Sequence, residues 1–320
     1  MNTKPNQQSI SAIVTAGATY LDIDAYACMI AMVELLRLQG VEAVAWSDAP
    51  CNYSVFPALM QEGQIRKAQP SENASYIIVD VSDPEYLGRS VPLERVTAVY
   101  DHHVGFEGYW QERIGTNAHI EFIGAAATLI YREWKKDQMQ ERMSPATARL
   151  LAAAILDNTL NLTSANTTDE DRDAYRELCV LAELEENWRA EYFSEVQRTV
   201  ERDLKNALLG DLKTVRGNLV LPPYVAQLCV WDADSILARL EEIRSWFSEL
   251  PETWMINIIE LRHRCNYFIC DDPAYQKKIE SVFQISFAEG TARTMVSYLR
   301  KELIKKTYNI QSHSEGNNNG

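Results

Sequence analysis

The sequence predicts an α/β protein: a doubly wound parallel sheet in the N-terminal part, followed by a smaller α/β domain. Three observations lead there. Short apolar runs rich in β-branched residues alternate with helical segments through the first half. Several of these runs end on a carboxylate or a histidine. A chain of 320 residues also exceeds what one ordinary core needs, so two domains are expected. Strand and helix alternation at this spacing implies parallel strands with helices on both faces, and such sheets bind ligands at their carboxyl edge.

Residues 11–16 (SAIVTA) read as a strand and 17–21 as a turn, after which Asp22 and Asp24 open a periodic helix to Leu38. Gly40 is a natural stop, and 41–46 (VEAVAW) resumes an extended pattern. Residues 50–71 mix a short helical piece with turn residues. The run 75–79 (SYIIV) reads as a buried strand ending in Asp80, and 96–106 (VTAVYDHHVGF) carries another strand into Asp101, His102 and His103. The apolar stretch 121–134 includes GAAAT, whose small residues let a helix N-terminus approach an anion or pack tightly. Residues 152–156 read as a helix end leading into Asp157. The polar connection 161–173 offers Thr167 or Thr168 as the cap of the next helix.

Residues 185–209 read as one long helical tether with the domain boundary near Arg198. The domains are therefore expected at 1–197 and 198–310, with 311–320 a polar, low-complexity tail expected to be disordered. Within the second domain, strands are expected around Leu219 and Val225, with Gly217 and Asn218 as a hairpin turn. A helix over 234–250 closed by Pro251, paired strands at 255–261 and 266–270, and a helix after Asp272 complete it.

Composition narrows the function. The formal net charge of -14 argues against a general nucleic-acid binder, because such affinity comes from basic surface. A small polyanion remains admissible as substrate when cations hold it. No apolar run reaches membrane-spanning length and the N-terminus lacks a signal-peptide core, so a cytoplasmic protein with no membrane partner is expected. The six cysteines form no C-x-x-C pair, which argues against a disulfide framework or a thiolate zinc site. His263, Cys265 and Cys270 lie close in sequence, but 266–269 reads as a strand and the cysteines as small core residues.

Asp22, Asp24, Asp80 and Asp157, with the imidazoles of 102 and 103, are oxygen and nitrogen donors at the ends of elements. That donor set suits a pair of hard or borderline divalent cations. Any one of these residues alone would read as a cap or turn residue. Their repetition after successive apolar runs points to a metal site.

The pieces GATYLDID (17–24), IVDVSD (78–83), YDHH (100–103), IEFIGAAATLIY (120–131) and AILDNTLNLTS (154–164) together resemble the DHH phosphoesterase superfamily. The resemblance is to its DHH-DHHA2 branch, which holds family II inorganic pyrophosphatases, exopolyphosphatases and prune-type proteins. The second half is similar to the DHHA2 domain at Asp211-Leu212-Lys213, at Val225-Ala226-Gln227 and at Leu299-Arg300-Lys301. The resemblance implies a DHH catalytic domain, a DHHA2-like phosphate-binding domain, and an active site in the cleft between them. It implies two divalent cations, Mn2+ or Mg2+ with Co2+ as a further candidate. In that reading Asp80 bridges the ions, Asp22 holds the first, and Asp24, His102 and Asp157 hold the second.

Asp101 would orient an imidazole. His103, which points away from His102 if the strand pattern continues, would be a phosphate contact or proton donor. Lys213, Arg300 and Lys301 would hold substrate phosphates. The implied activity is hydrolysis of phosphoanhydride bonds of polyphosphate or pyrophosphate by a two-metal activated water; a homodimer is compatible with it. Two departures stand out: Ala18 replaces the histidine of family II pyrophosphatases, and Ala125 replaces the family's serine in GAAAT. Two further readings therefore stay open, a phosphodiesterase or nucleotide phosphatase, and a catalytically weakened phosphate-binding regulatory protein. The Gly-Gly-Gly-His stretch of the oligonucleotide-cutting branch is absent, which lowers the nuclease reading.

Overall fold

The structure, a computed structural model, describes residues 10–17, 20–60, 65–66, 73–88 and 90–316. It divides into two compact units, Met1–Arg189 and Ala190–Gly320. Among the described residues no helix is long and apolar enough to cross a membrane.

The first unit runs β1 (Ala12–Thr15), α1 (Ile23–Leu38), β2 (Ala43–Trp46), α2 (Pro57–Met60), β3 (Ile65–Arg66), β4 (Ser75–Val79) and β5 (Val96–Asp101). It continues with α3 (Glu107–Ile114), β6 (Ala118–Ile120), α4 (Ala126–Lys136), α5 (Pro145–Asn158) and α6 (Asp169–Leu181). The strands form one six-stranded sheet in the order β3-β2-β1-β4-β5-β6. Every pairing is parallel, as expected for strands that read as continuous apolar runs. The order reverses between β1 and β4, so the switch point of the sheet lies where Asp22 and Asp80 leave it.

Both faces are covered. On one, Ile13, Val44, Tyr76, Ile78, Val99 and Ile120 pack with Trp110 of α3. On the other, α1 packs against β1, β2, β4 and α5, and α4 against β5 and α1. Trp110 has no exposed surface, and its indole N–H donates to Ser82 O at 2.6 Å. Ser82 Oγ in turn donates to His103 O at 3.1 Å, so a core side chain fixes the loop of the paired histidines. A bulge in β5 levels the strand ends: Tyr76 pairs with Val96 but Ile77 with Ala98, which brings Val79 opposite Tyr100. Asp80 and Asp101 therefore leave the sheet side by side.

The second unit carries most of α7 (Trp188–Arg202), then α8 (Leu204–Gly210), β7 (Lys213–Thr214), β8 (Tyr224–Val230), α9 (Asp234–Leu237) and α10 (Leu240–Phe247). After these come β9 (Trp254–Glu260), β10 (Cys265–Ile269), α11 (Pro273–Phe283), β11 (Thr291–Arg293) and α12 (Arg300–Gly316). Its sheet has the order β11-β10-β9-β8-β7, with β8 and β9 parallel and the other pairs antiparallel. The tether expected over 185–209 is two helices, because the Asp203 side chain caps a new one at Asn206 N. The expected helix over 234–250 is likewise divided. Gly217 and Asn218 make no tight hairpin: β7 pairs Thr214 with Tyr224, and Asn218 Oδ1 instead accepts from the backbone of Val220 and Leu221. Helix α12 enters the segment expected to be a disordered tail, and residues 317–320 of that segment lie outside the described residues.

Asp171, fully buried, joins α4 to α6. Its Oδ2 accepts from Gly124 N at 3.0 Å and from Thr168 N at 2.8 Å, and its Oδ1 from Thr128 Oγ1 at 2.6 Å. With the Thr168 side chain it closes a capping box at the start of α6. Gly124 is required by this approach, since a Cβ there would lie 2.6 Å from both Asp171 Oδ2 and Thr159 Cγ2. Gly124→Ala should lower stability by about 1–3 kcal/mol, read as an earlier thermal midpoint of the metal-free protein. An unchanged midpoint would mean that α6 gives way at no cost.

Candidate metal centre

Asp80 follows β4 in the left-handed region, with φ 57°, a conformation that costs a non-glycine residue about 1 kcal/mol or more. Its backbone N–H donates to Tyr100 O at 2.8 Å, which prolongs the sheet by one bond while the side chain turns toward the histidines. Asp80 Oδ1 lies 3.4 Å from His102 Nε2 and 4.0 Å from His103 Nδ1. Among the described residues, Asp80, His102 and His103 are the group whose donor atoms all lie within 4.8 Å of one another.

The two rings do not point to opposite sides, as continued strand alternation would require. Strand β5 ends at Asp101, and beyond it the chain turns. The rings meet edge to face with centroids 4.3 Å apart. His102 is buried, and its Nδ1 lies 3.2 Å from Ile123 O. A carbonyl only accepts, so Nδ1 carries a proton, and Nε2 is the ring atom that faces Asp80 and Asp24. Asp101 has no exposed surface. Its Oδ1 accepts from His103 Nδ1 at 2.8 Å and from His103 N at 3.1 Å, so the imidazole it orients is that of His103. The His103 side chain is 53% exposed, the only imidazole of the pair open to solvent.

Asp22 caps α1: its Oδ1 accepts from Asp24 N at 3.1 Å and Ala25 N at 3.0 Å. Asp24, two residues on, is fully buried. Its Oδ2 accepts from Ala126 N at 2.9 Å and lies 4.0 Å from His102 Nε2, and its Oδ1 accepts from Ala127 N at 2.8 Å. The anion that the small residues of GAAAT admit to the start of α4 is thus a carboxylate of this chain. Burial, and next the negative charge of Asp22, push the Asp24 carboxyl up to about 8. Cys28 Sγ lies 3.4 Å from Asp24 Oδ1, and burial, with the Asp24 and Asp80 charges, pushes its thiol well up.

Asp157 lies half-buried in the last turn of α5. It is followed by an unusual turn in which Leu160, Asn161 and Leu162 all have positive φ, 49°, 59° and 62°. Each leucine costs about 1–2 kcal/mol there. The buried Thr159 holds the turn, its carbonyl accepting from Thr163 N and Ser164 N and its hydroxyl from Leu162 N. Ala18 lies outside the described residues.

The three basic residues expected to hold phosphate all belong to the second unit. Lys213 is exposed on β7, Lys301 is half-buried at the start of α12, and the Arg300 side chain is only 8% exposed. Arg300 Nη1 donates to Asp211 Oδ2 at 2.6 Å, Asp211 O at 2.7 Å and Val225 O at 3.1 Å. Its backbone N–H donates to Gln227 Oε1 at 2.6 Å, and Asp211 Oδ2 also accepts from Gln227 N at 3.0 Å. Asn257 Nδ2 donates to Gln227 Oε1 and to the Tyr298 carbonyl, which also accepts from Asn266 Nδ2. The three matched segments of this unit therefore meet in one polar network around the buried Arg300.

The donor set fits divalent cations. Carboxylates and an imidazole whose Nδ1 is held by a backbone carbonyl gather at the switch point of a parallel sheet, and borderline ions such as Mn2+ take such mixed oxygen and nitrogen ligands. The chain matches no protein-family model. It is 24% identical over 234 residues to a manganese-dependent inorganic pyrophosphatase of Listeria welshimeri, covering 71% of this chain and 74% of that one. To its namesake from Bacillus pumilus it is 25% identical over 301 residues, covering 88% and 93%. A solved structure from Methanococcus jannaschii, described as a family II inorganic pyrophosphatase, superposes with a TM-score of 0.65 at 17% identity, covering 93% of this chain and 99% of that one. Parallel sheet and second mixed sheet together define a two-unit α/β fold shared with that structure. By sequence the chain is thus similar to proteins named as manganese-dependent inorganic pyrophosphatases, and its fold is that of the Methanococcus structure.

Two outcomes follow. With chelator present, the proton that Asp24 takes up on folding stabilises the protein below the carboxylate's ordinary range relative to high pH, and this contribution is lost as pH rises toward about 8. Asp24→Asn should flatten that part of the pH profile of the melting temperature; an unaltered slope would place the titration elsewhere. In the second unit, Arg300→Ala should destabilise by up to about 3 kcal/mol by removing the guanidinium from the half-buried Asp211 carboxylate, whereas Lys301→Ala should leave stability unchanged. Equal melting of the two variants would contradict the buried pair.

Proposed function

We propose that the protein is a divalent-metal-dependent hydrolase of phosphoanhydride bonds, acting on pyrophosphate or polyphosphate. The observation that carries this reading is the convergence of Asp80, His102 and His103, with Asp24 beside them, at the switch point of the sheet. The names of its relatives, manganese-dependent inorganic pyrophosphatases, support the same chemistry and a divalent cation as cofactor. Asp22, Asp24, Asp80, His102 and Asp157 are the proposed ligands of two such ions, with Asp80 shared. When bound, the ions would make a water nucleophilic near neutral pH and neutralise phosphoryl charge.

The chain's own groups do the rest. Asp101 holds the His103 Nδ1 proton, so Nε2 is the atom that ring offers to a phosphate oxygen, as donor when the ring is charged and acceptor when neutral. Lys213, Arg300 and Lys301 are proposed to bind substrate phosphates, Arg300 with its guanidinium plane set by Asp211. A cytoplasmic setting is supported by six free cysteines, four of them buried.

Purified protein assayed with pyrophosphate, tripolyphosphate, long polyphosphate and a cyclic dinucleotide, each with Mn2+ or Mg2+, tests the reading. Hydrolysis of the first three and not the last is expected. Cleavage of the dinucleotide alone would establish a phosphodiesterase, and tight pyrophosphate binding without turnover a binding protein. Asp80→Ala should reduce turnover of every substrate to background while the fold survives; near-normal turnover would sink the metal centre.

A further inference from the structure

The Asp24 carboxylate is held unevenly, and the unevenness has one adjustable source. A carboxylate oxygen has two in-plane lone pairs. Those of Oδ1 meet Ala127 N at 2.8 Å and Cys28 Sγ at 3.4 Å. Oδ2 meets Ala126 N at 2.9 Å, and its other side faces His102 Nε2 at 4.0 Å. Cys28 is four residues after Asp24, on the same face of α1, and both are fully buried, so no water competes for the contact. The Ala126 and Ala127 donors are backbone groups and independent of side chain. The thiol is the one donor that the sequence is free to change.

We infer that Cys28 is a positioning residue: its S–H occupies the second lone pair of Asp24 Oδ1, so that Asp24 meets a cation through Oδ2 alone. The inference rests on the metal centre proposed above. Its chemical consequence is selectivity. A carboxylate confined to one oxygen suits small cations with strict geometry such as Mg2+ or Mn2+, whereas Ca2+ accepts both oxygens at longer range. A residue that merely fills space beside Asp24 would alter all these affinities together or none.

The test is calorimetric titration of Mn2+ and Ca2+ into chelator-stripped wild type, Cys28→Ala and Cys28→Ser, with the metal-free melting temperature of each. Cys28→Ala should bind Mn2+ about tenfold more weakly, the usual effect of losing a group that orients a ligand, and should bind Ca2+ no more weakly than wild type does. Cys28→Ser, which restores a donor, should recover most of the Mn2+ affinity. Mn2+ binding by Cys28→Ala at wild-type strength, or Cys28→Ser as weak as Cys28→Ala, would overturn the inference. So would a parallel loss for both ions. Should Cys28→Ala not fold, the serine variant decides alone: a Mn2+ to Ca2+ preference unlike that of wild type overturns it. Wild type that binds neither ion would instead remove the metal centre itself, and this inference with it.

Discussion

Three carboxylates without exposed surface, Asp24, Asp101 and Asp171, govern the first unit. A buried carboxylate is costly unless donors surround it, and each of these is met by donors from another element or by an adjoining imidazole. Asp24 draws the start of α4 to α1, Asp171 draws it to α6, and Asp101 fixes the exposed histidine. The helix N-termini thus answer internal charge before any substrate arrives. Asp24 on α1, Asp80 after β4 and His102 after β5 are brought to one edge because these bonds leave the helices few other ways to pack.

Much of this arrangement was legible in the residues. Strands β1, β4 and β5 are buried on both faces and so read as unbroken apolar runs, and the residues that end them fall at the carboxyl edge by topology alone. The start of α1 was readable from Asp22, and that of α6 from Thr167 or Thr168, of which Thr168 is the cap, because capping is a local bond between neighbours. Likewise Asp80, His102 and Asp24 were marked by position and residue type.

What stayed hidden depends on partners distant in sequence. Nothing near Asp171 announces that its oxygens serve Gly124 and Thr128, 47 and 43 residues away, although a glycine and a threonine flanking three alanines were a trace of it. Glu34 similarly caps α5 through Ser144, 110 residues on. The convergence of His102 and His103 escaped because strand alternation was extended past the residue where the strand ends. Short edge strands such as β3 and β6 escaped for want of length, and the division of the tether turned on a single cap at Asp203.

The Asp211 and Arg300 pair bears on the order in which the protein can be made. Its members are 89 residues apart, and between them lie all five strands of the second sheet. During synthesis the acidic partner emerges long before the basic one, and until then it has to stay hydrated. Burial of β8 beside it must wait, since the Val225 carbonyl and Gln227 share the same guanidinium and amide bonds. The first unit needs nothing that far downstream for its own sheet, because its last strand ends at Ile120. Ribosome-bound chains should therefore carry a finished parallel sheet beside a second half that remains open, and therefore within reach of chaperones and proteases, until α12 begins to appear.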